Sequence, residues 1–336
     1  LFTQNVVHVS VEELQTKDIK DIKNILSVKI ERILQMPRSI AGQEGDMRTE
    51  RNLLKATASA IKNHTTTVPE TTMVVEVSRE ASEDHKTIEP QKEVWNFIIS
   101  SCMDDGEILN MAGSDDGLRS GVLPCGGVAA ELVSEDGVFV PQLVEGKAFS
   151  YLPLDVSTGL PFHVNGNFLL QPNRRQLWSK PSSSTGEFES MWNECFIKSV
   201  LCRAFLNLLK DLQELQDQNK SDARAFQRLW PTTRRCETDF QTFVGAYYSA
   251  IGCPRNPPTV VYNNSQWLTM HDCFFTDWKH NDPKDLRSSI KSVLSNKMHP
   301  KTWVELDSDV VSSITNLPEN KYFVDNTYHV HRFLQE

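Results

Sequence analysis

The sequence predicts an α/β (α+β) protein: a mixed sheet with helices, then a helical segment, then a small α/β subdomain. Three observations carry this. Runs of β-branched and aromatic residues at strand length recur through the first half, as at Thr71–Ser78 and Glu93–Cys102. From Met191 to about Leu215 the apolar residues instead recur at helical spacing. Beyond the "CPRNPP" break at Cys253–Pro258, short strand and helix signals alternate again. The predicted units are a mixed α/β domain over 1–185, a helical subdomain over 186–253 and a small α/β subdomain over 254–336. A length of 336 residues suits two or three such units.

Taken in order, "NVVHVSVEEL" alternates apolar and polar residues and predicts a strand. Ile19, Ile22, Ile25, Leu26, Ile30 and Ile33 then fall at helical intervals, predicting a helix over 18–36 that Pro37 halts. A second helix is expected over 48–62. Strands follow at 71–78, 93–102, 126–133 and 146–154, with turns at the Asp-Asp-Gly triplets 104–106 and 115–117 and at Asp136-Gly137. Ser182 to Gly186 reads as a hinge of small residues. Helices are expected over 191–215 and 238–251, the second ended by Gly252 and Pro254. Strands at 259–263, near Trp267 and at 321–324, with helices around 284–296 and 307–315, complete the reading.

The most specific stretch is "TGLPFHVNGNFLLQPNRRQLW", Thr158 to Trp178. Asn165-Gly166 between two alternating runs predicts a two-residue type I′ hairpin turn, because both central positions of that turn need positive φ. Phe162, Val164, Phe168 and Leu170 would then bury against helices. Arg174 and Arg175 follow Pro172 at the strand's end. Two readings of them stand. One arginine pairs a carboxylate while the other covers apolar surface; or the pair reaches a phosphate, which the guanidinium fork suits.

The formal charge of −9, with dispersed basic residues, argues against a nucleic-acid partner. No apolar run approaches the ~20 residues of a membrane-spanning helix. Seven cysteines form no C-x-x-C and leave an odd count, which favours reduced thiols and a cytoplasmic setting. Leu1-Phe2-Thr3 carries no initiating Met or basic leader and reads as a cut within a longer chain.

Other constellations are weaker. His271, Asp272, Cys273 and His280 lack the paired spacing of a zinc site, and Met270–Phe275 reads as a strand leading into a turn. The pairs Asp104-Asp105 and Asp115-Asp116 lack the alternating ligands of a calcium loop. No G-x-S-x-G marks a hydrolase. Neither a G-x-x-x-x-G-K-[ST] loop nor a D-x-G-x-G turn is present.

The string "GKAFSYLPLDVSTGLPFHVNGNFLLQPNRRQLW" closely resembles the large repeats of the sacsin type. "RLWP" at 228–231, the helix from Trp192 and "SQWLTMHDCFF" extend the likeness over about 120 to 280. Such repeats combine a nucleotide-binding fold, like that of the ninety-kilodalton heat-shock chaperone, with further α/β and helical parts. With no nucleotide motifs of its own, the chain would be a region downstream of that fold, resembling a chaperone middle region. The resemblance implies a non-catalytic segment without a cofactor, coupled to an adjacent ATP-binding domain of the same chain that is a weak ATPase at most. It also implies the seventy-kilodalton chaperone system and client proteins as partners. Middle regions of this kind lend a basic residue to the γ-phosphate of the neighbouring domain, and Arg174 and Arg175 are the positions for that role.

Overall fold

A computed structural model describes residues 8–14, 22–35, 57–58, 61–62, 70–81, 91–135, 138–179, 186–217, 226–262, 266–276 and 302–315. Long antiparallel pairings organise the first half. Strands β1 (His8–Leu14), β2 (Ile22–Gln35), β3 (Glu70–Ala81), β4 (Gln91–Met103) and β5 (Cys125–Glu135) pair in sequence order. β5 then divides its far edge between two partners. Its first half pairs β9 (His163–Gly166), and its second half pairs β6 (Val138–Gln142). β9 continues in parallel to β7 (Lys147–Ser150), which pairs antiparallel with β8 (Leu152–Ser157). The result is a nine-stranded mixed sheet, so the fold is α/β as expected.

Both faces of the sheet centre are buried. On one, Val74, Ile98, Val128, Ala130 and Leu132 meet the helices. On the other, Val75, Phe97, Ile99 and Ala129 form a second cluster, flanked by Trp95 and Phe149. That two-sided burial explains why β4 reads as an unbroken β-rich run rather than a clean alternation.

The helical layer begins with α1 (Glu107–Gly113) and α2 (Asp115–Ser120). A long helix follows: α3 (Glu187–Phe196), a π-helical turn (Ile197–Leu201) and α4 (Cys202–Asp217). The wider turn inserts a residue and re-phases the stripe. Phe196, Val200, Leu201, Ala204, Phe205 and Leu208 are accordingly all fully buried, and α4 lies across β3, β4 and β5. α5 (Gln241–Ile251), entered through a 3-10 turn at Thr238–Phe240, packs on α4. Phe162 stacks on Phe205 at 4.4 Å between ring centroids, and Phe243 and Tyr247 meet Phe205 edge-on. Each such pair adds ~0.5–1.5 kcal/mol beyond its area burial. The C-terminal part comprises the β10–β11 hairpin (Thr259–Tyr262, Trp267–Thr269), the parallel pair β12–β13 (Cys273–Thr276, Thr302–Glu305) and α6 (Ser308–Thr315). One contiguous core runs from Val74 to Ile314 and takes side chains from all three predicted units.

Several expectations are corrected. Residues 22–35, expected as helix, form β2, because β1 and β3 offer it antiparallel ladders on both edges. The run 146–154 is two strands folded back at Tyr151, whose φ is 60°. Asp115-Asp116-Gly117 is the first turn of α2, where the Ser114 hydroxyl accepts from the Gly117 N–H at 3.1 Å. Met270–Asp272 is a 3-10 turn leading into β12. Residues 57–58 and 61–62 are helical, in keeping with the predicted helix over 48–62. The hinge at 182–185, the helix near 284–296 and the strand at 321–324 lie outside the described residues. None of the seven cysteines is in a disulfide among the described residues, and six are buried. Among the described residues no helix is long and apolar enough to cross a membrane.

Candidate functional site

Asn165 and Gly166 make no turn. Both lie in β9, opposite Gly127 and Gly126 of β5, and neither adopts a positive φ. The sheet ladder overrides the local turn preference, and glycine serves a different need here. A Cβ on Gly166 would stand 2.2 Å from the Phe196 ring, and one on Gly126 would stand 2.6 Å from it. The two facing glycines form a floor on which Phe196 lies. Asn165 acts through its side chain: Oδ1 accepts the Tyr151 N–H at 2.8 Å. That bond holds Tyr151 in the left-handed conformation and closes the β7–β8 reversal.

The chain leaves the sheet after Gly166 and is gripped at once by α3. Trp192 Nε1–H donates to the Asn167 carbonyl at 2.8 Å. Asn193, only 2 % exposed, spans the loop behind it. Its Oδ1 accepts the Leu169 N–H at 2.9 Å, and its Nδ2 donates to the carbonyls of Leu169 at 2.7 Å and Trp178 at 3.1 Å. Leu169 and Trp178 close the loop with a 3.1 Å backbone bond, and Leu170 bridges Leu177.

The real reversal sits above this clamp. Gln171 N–H donates to the Gln176 carbonyl, and Arg174 N–H donates to the Gln171 carbonyl at 2.8 Å. Pro172 stands at the second turn position, where its fixed φ is preset. Asn173 Oδ1 accepts the Arg175 N–H at 2.9 Å. Arg174 has φ 55°, the left-handed position that commonly follows a type I turn and is usually given to glycine. An arginine here bears strain that a glycine would not. Arg174 and Arg175 therefore stand at the apex of a reversal between 171 and 176, the hairpin that was expected at 165–166.

Both arginines are exposed, and among the described residues neither guanidinium pairs with a carboxylate. The carboxylate partner of the first reading is not found among the described residues. At the loop's foot lies a cavity of about 380 Å³ walled by Trp178, Asn193, Glu194, Asp239 and Thr242. Burial, reinforced by Glu237, raises the Asp239 carboxyl above its ordinary range.

The weaker candidates resolve structurally. Asp272 Oδ2 accepts from the Thr269 hydroxyl at 2.6 Å and from its N–H at 3.2 Å, closing a capping box. His280 lies outside the described residues, and among those described no cluster of three or more metal-ligating side chains occurs. Asp104 and Asp105 hold Arg203 of α4 at 3.1 and 3.4 Å, tying the end of β4 to the helical layer. Asp116 pairs with Arg119 at 2.7 Å on the surface of α2. Asn193 is the residue that sequence reasoning missed. Its signal was a lone amide in the stripe Trp192, Phe196, Ile197, where a buried polar group must find partners.

No protein-family model matches the chain. No solved structure matches it. Over 253 residues, 73 % of its length, the chain is 28 % identical to human sacsin. It spans about 5 % of that relative's length. The similarity is longer than the stretch from 120 to 280 on which the motif resemblance rested, so the chain is similar to a region of sacsin over most of its length.

Proposed function

We propose that the chain is a non-catalytic middle region of a co-chaperone repeat, coupling an adjacent chaperone-type nucleotide-binding domain to client binding or self-association. The observation that carries this reading is the arginine loop. Arg174 and Arg175 stand exposed at the tip of a turn whose base is locked by the buried Asn193. A preset turn loses little freedom when it meets a ligand, which is what a group delivered on domain closure needs. The guanidinium groups would meet the γ-phosphate of ATP held by the neighbouring domain and stabilise charge there. ATP belongs to that domain, and this region needs no cofactor of its own. The setting is cytoplasmic, with the seventy-kilodalton chaperone system and client proteins as partners.

The test is ATP turnover by a longer chain that includes the nucleotide-binding domain. Arg174→Ala or Arg175→Ala should lower turnover by about tenfold or more if the guanidinium acts on the transferring phosphate. Unchanged turnover in both variants would leave the second reading, a structural scaffold with no nucleotide sensing. That reading draws on the same clamp, since Asn193 organises the loop whether or not a ligand arrives.

A further inference from the structure

A second site stands on different residues. Two adjoining cavities of about 450 and 380 Å³ share Leu143, Arg228, Trp230, Thr232 and Arg235 in their linings. Each has the volume of an ordinary small-ligand site. Trp230 and Thr232 are 2 % and 6 % exposed. The indole Nε1–H and the Thr232 hydroxyl are nevertheless buried without a hydrogen-bond partner among the described residues. Such orphaned groups are rare in folded proteins and call for an explanation. The same segment otherwise closes its bonds: Tyr248 O–H donates to the Pro231 carbonyl at 2.9 Å, and the Thr233 N–H reaches Ser313 Oγ at 2.9 Å.

The charges around the cleft are unevenly committed. Asp307 is engaged at the start of α6, accepting the Asp309 N–H at 2.9 Å. Asp309 holds Arg234 at 3.1 Å and Arg235 at 3.8 Å. Glu145 accepts from the Ser157 hydroxyl at 3.4 Å, and Glu237 lies exposed at the rim. Arg228 is exposed and pairs with no described carboxylate. An indole N–H and a hydroxyl thus lie unspent beneath the cleft, and the Arg228 guanidinium lines it without a described carboxylate partner. Their complement is an acceptor-rich group that carries negative charge.

We propose that the cleft floored by Trp230 and Thr232 and flanked by Arg228 and Arg235 is a binding site for an oxyanion, the carboxylate or phosphate monoester of a small ligand. The site does not depend on the arginine loop, and failure of either leaves the other intact. The full chain, labelled with nitrogen-15, is titrated separately with inorganic phosphate and with N-acetylglutamate. The readout is the Trp230 indole N–H resonance, assigned through Trp230→Phe. A saturable shift is expected, and the probe that saturates identifies phosphate or carboxylate as the ligand chemistry. Arg228→Gln changes only an exposed side chain and should weaken binding by about tenfold, the range of one charge-assisted bond. Thr232→Val should weaken it while preserving side-chain shape. A resonance unmoved by millimolar amounts of both probes, or titrations that Arg228→Gln leaves unaltered, would overturn the proposal.

Discussion

The Phe196 ring occupies the space where a side chain on Gly166 would stand, 2.2 Å from the position of its Cβ. This contact seats the long helix on the sheet at the strand that feeds the arginine loop. Gly166→Ala forces the ring or the strand to move and should cost ~1–3 kcal/mol, the range for overpacking a core. Denaturant midpoints measure it. Adding Phe196→Leu should recover part of the loss, so the double variant should be more stable than the sum of the singles predicts. Strict additivity would show that the two residues do not share this space.

Asn193 is the loop's foundation. Asn193→Ala removes three hydrogen bonds and leaves backbone groups of Leu169 and Trp178 without partners. Each buried orphan costs ~1–3 kcal/mol. The thermal midpoint should fall, and amide exchange at Leu169 should accelerate more than at β4. A uniform acceleration across both would mean that the amide supports global stability alone and does not hold the loop in particular.

Arg174 allows charge and backbone to be separated. With φ at 55°, Arg174→Gly relieves a left-handed strain of ~1 kcal/mol while deleting the guanidinium. Stability should hold or rise. Arg175→Ala, at an exposed position, should shift it by no more than about 0.5 kcal/mol. A loss of several kcal/mol in either variant would reveal a buried pair and restore the anchoring reading.

His163 supplies a pH dependence. Its Nδ1 accepts the Lys147 N–H at 3.1 Å, and the ring packs edge-on against Phe149. Burial first, and then the charge of Lys147, lowers its pKa to about 4. The unfolded chain takes up this proton near the ordinary histidine value of ~6.5, whereas the folded chain resists until about 4. The stabilisation is therefore complete above pH ~6.5 and is lost as pH falls toward 4, amounting to at most ~3 kcal/mol. His163→Gln, which keeps an acceptor for Lys147, should flatten that part of the stability profile. An unchanged slope would assign it to other groups.

What the order of residues determined for this protein is its local β-rich and helical runs. β3, β4 and the helix from Met191 were legible because their own periodicity agrees with their place in the fold. Burial of Phe162, Val164 and Phe168 was legible for the same reason. Tertiary structure alone decided the cases where local and distant preferences conflict. Residues 22–35 carry helical spacing yet pair as β2, since two flanking ladders satisfy more backbone than an isolated helix would. Asn165-Gly166 carries the chemistry of a tight turn, but its value lies in what it lacks, a Cβ beneath Phe196, and in an amide aimed at Tyr151. The fate of the two arginines follows from that difference. A reversal at 165–166 would have left them at a strand end, whereas the fold carries the chain past α3 to Asn193 and turns it at Pro172. Contacts across long sequence separations fix that path, and such contacts leave no mark in the neighbouring residues.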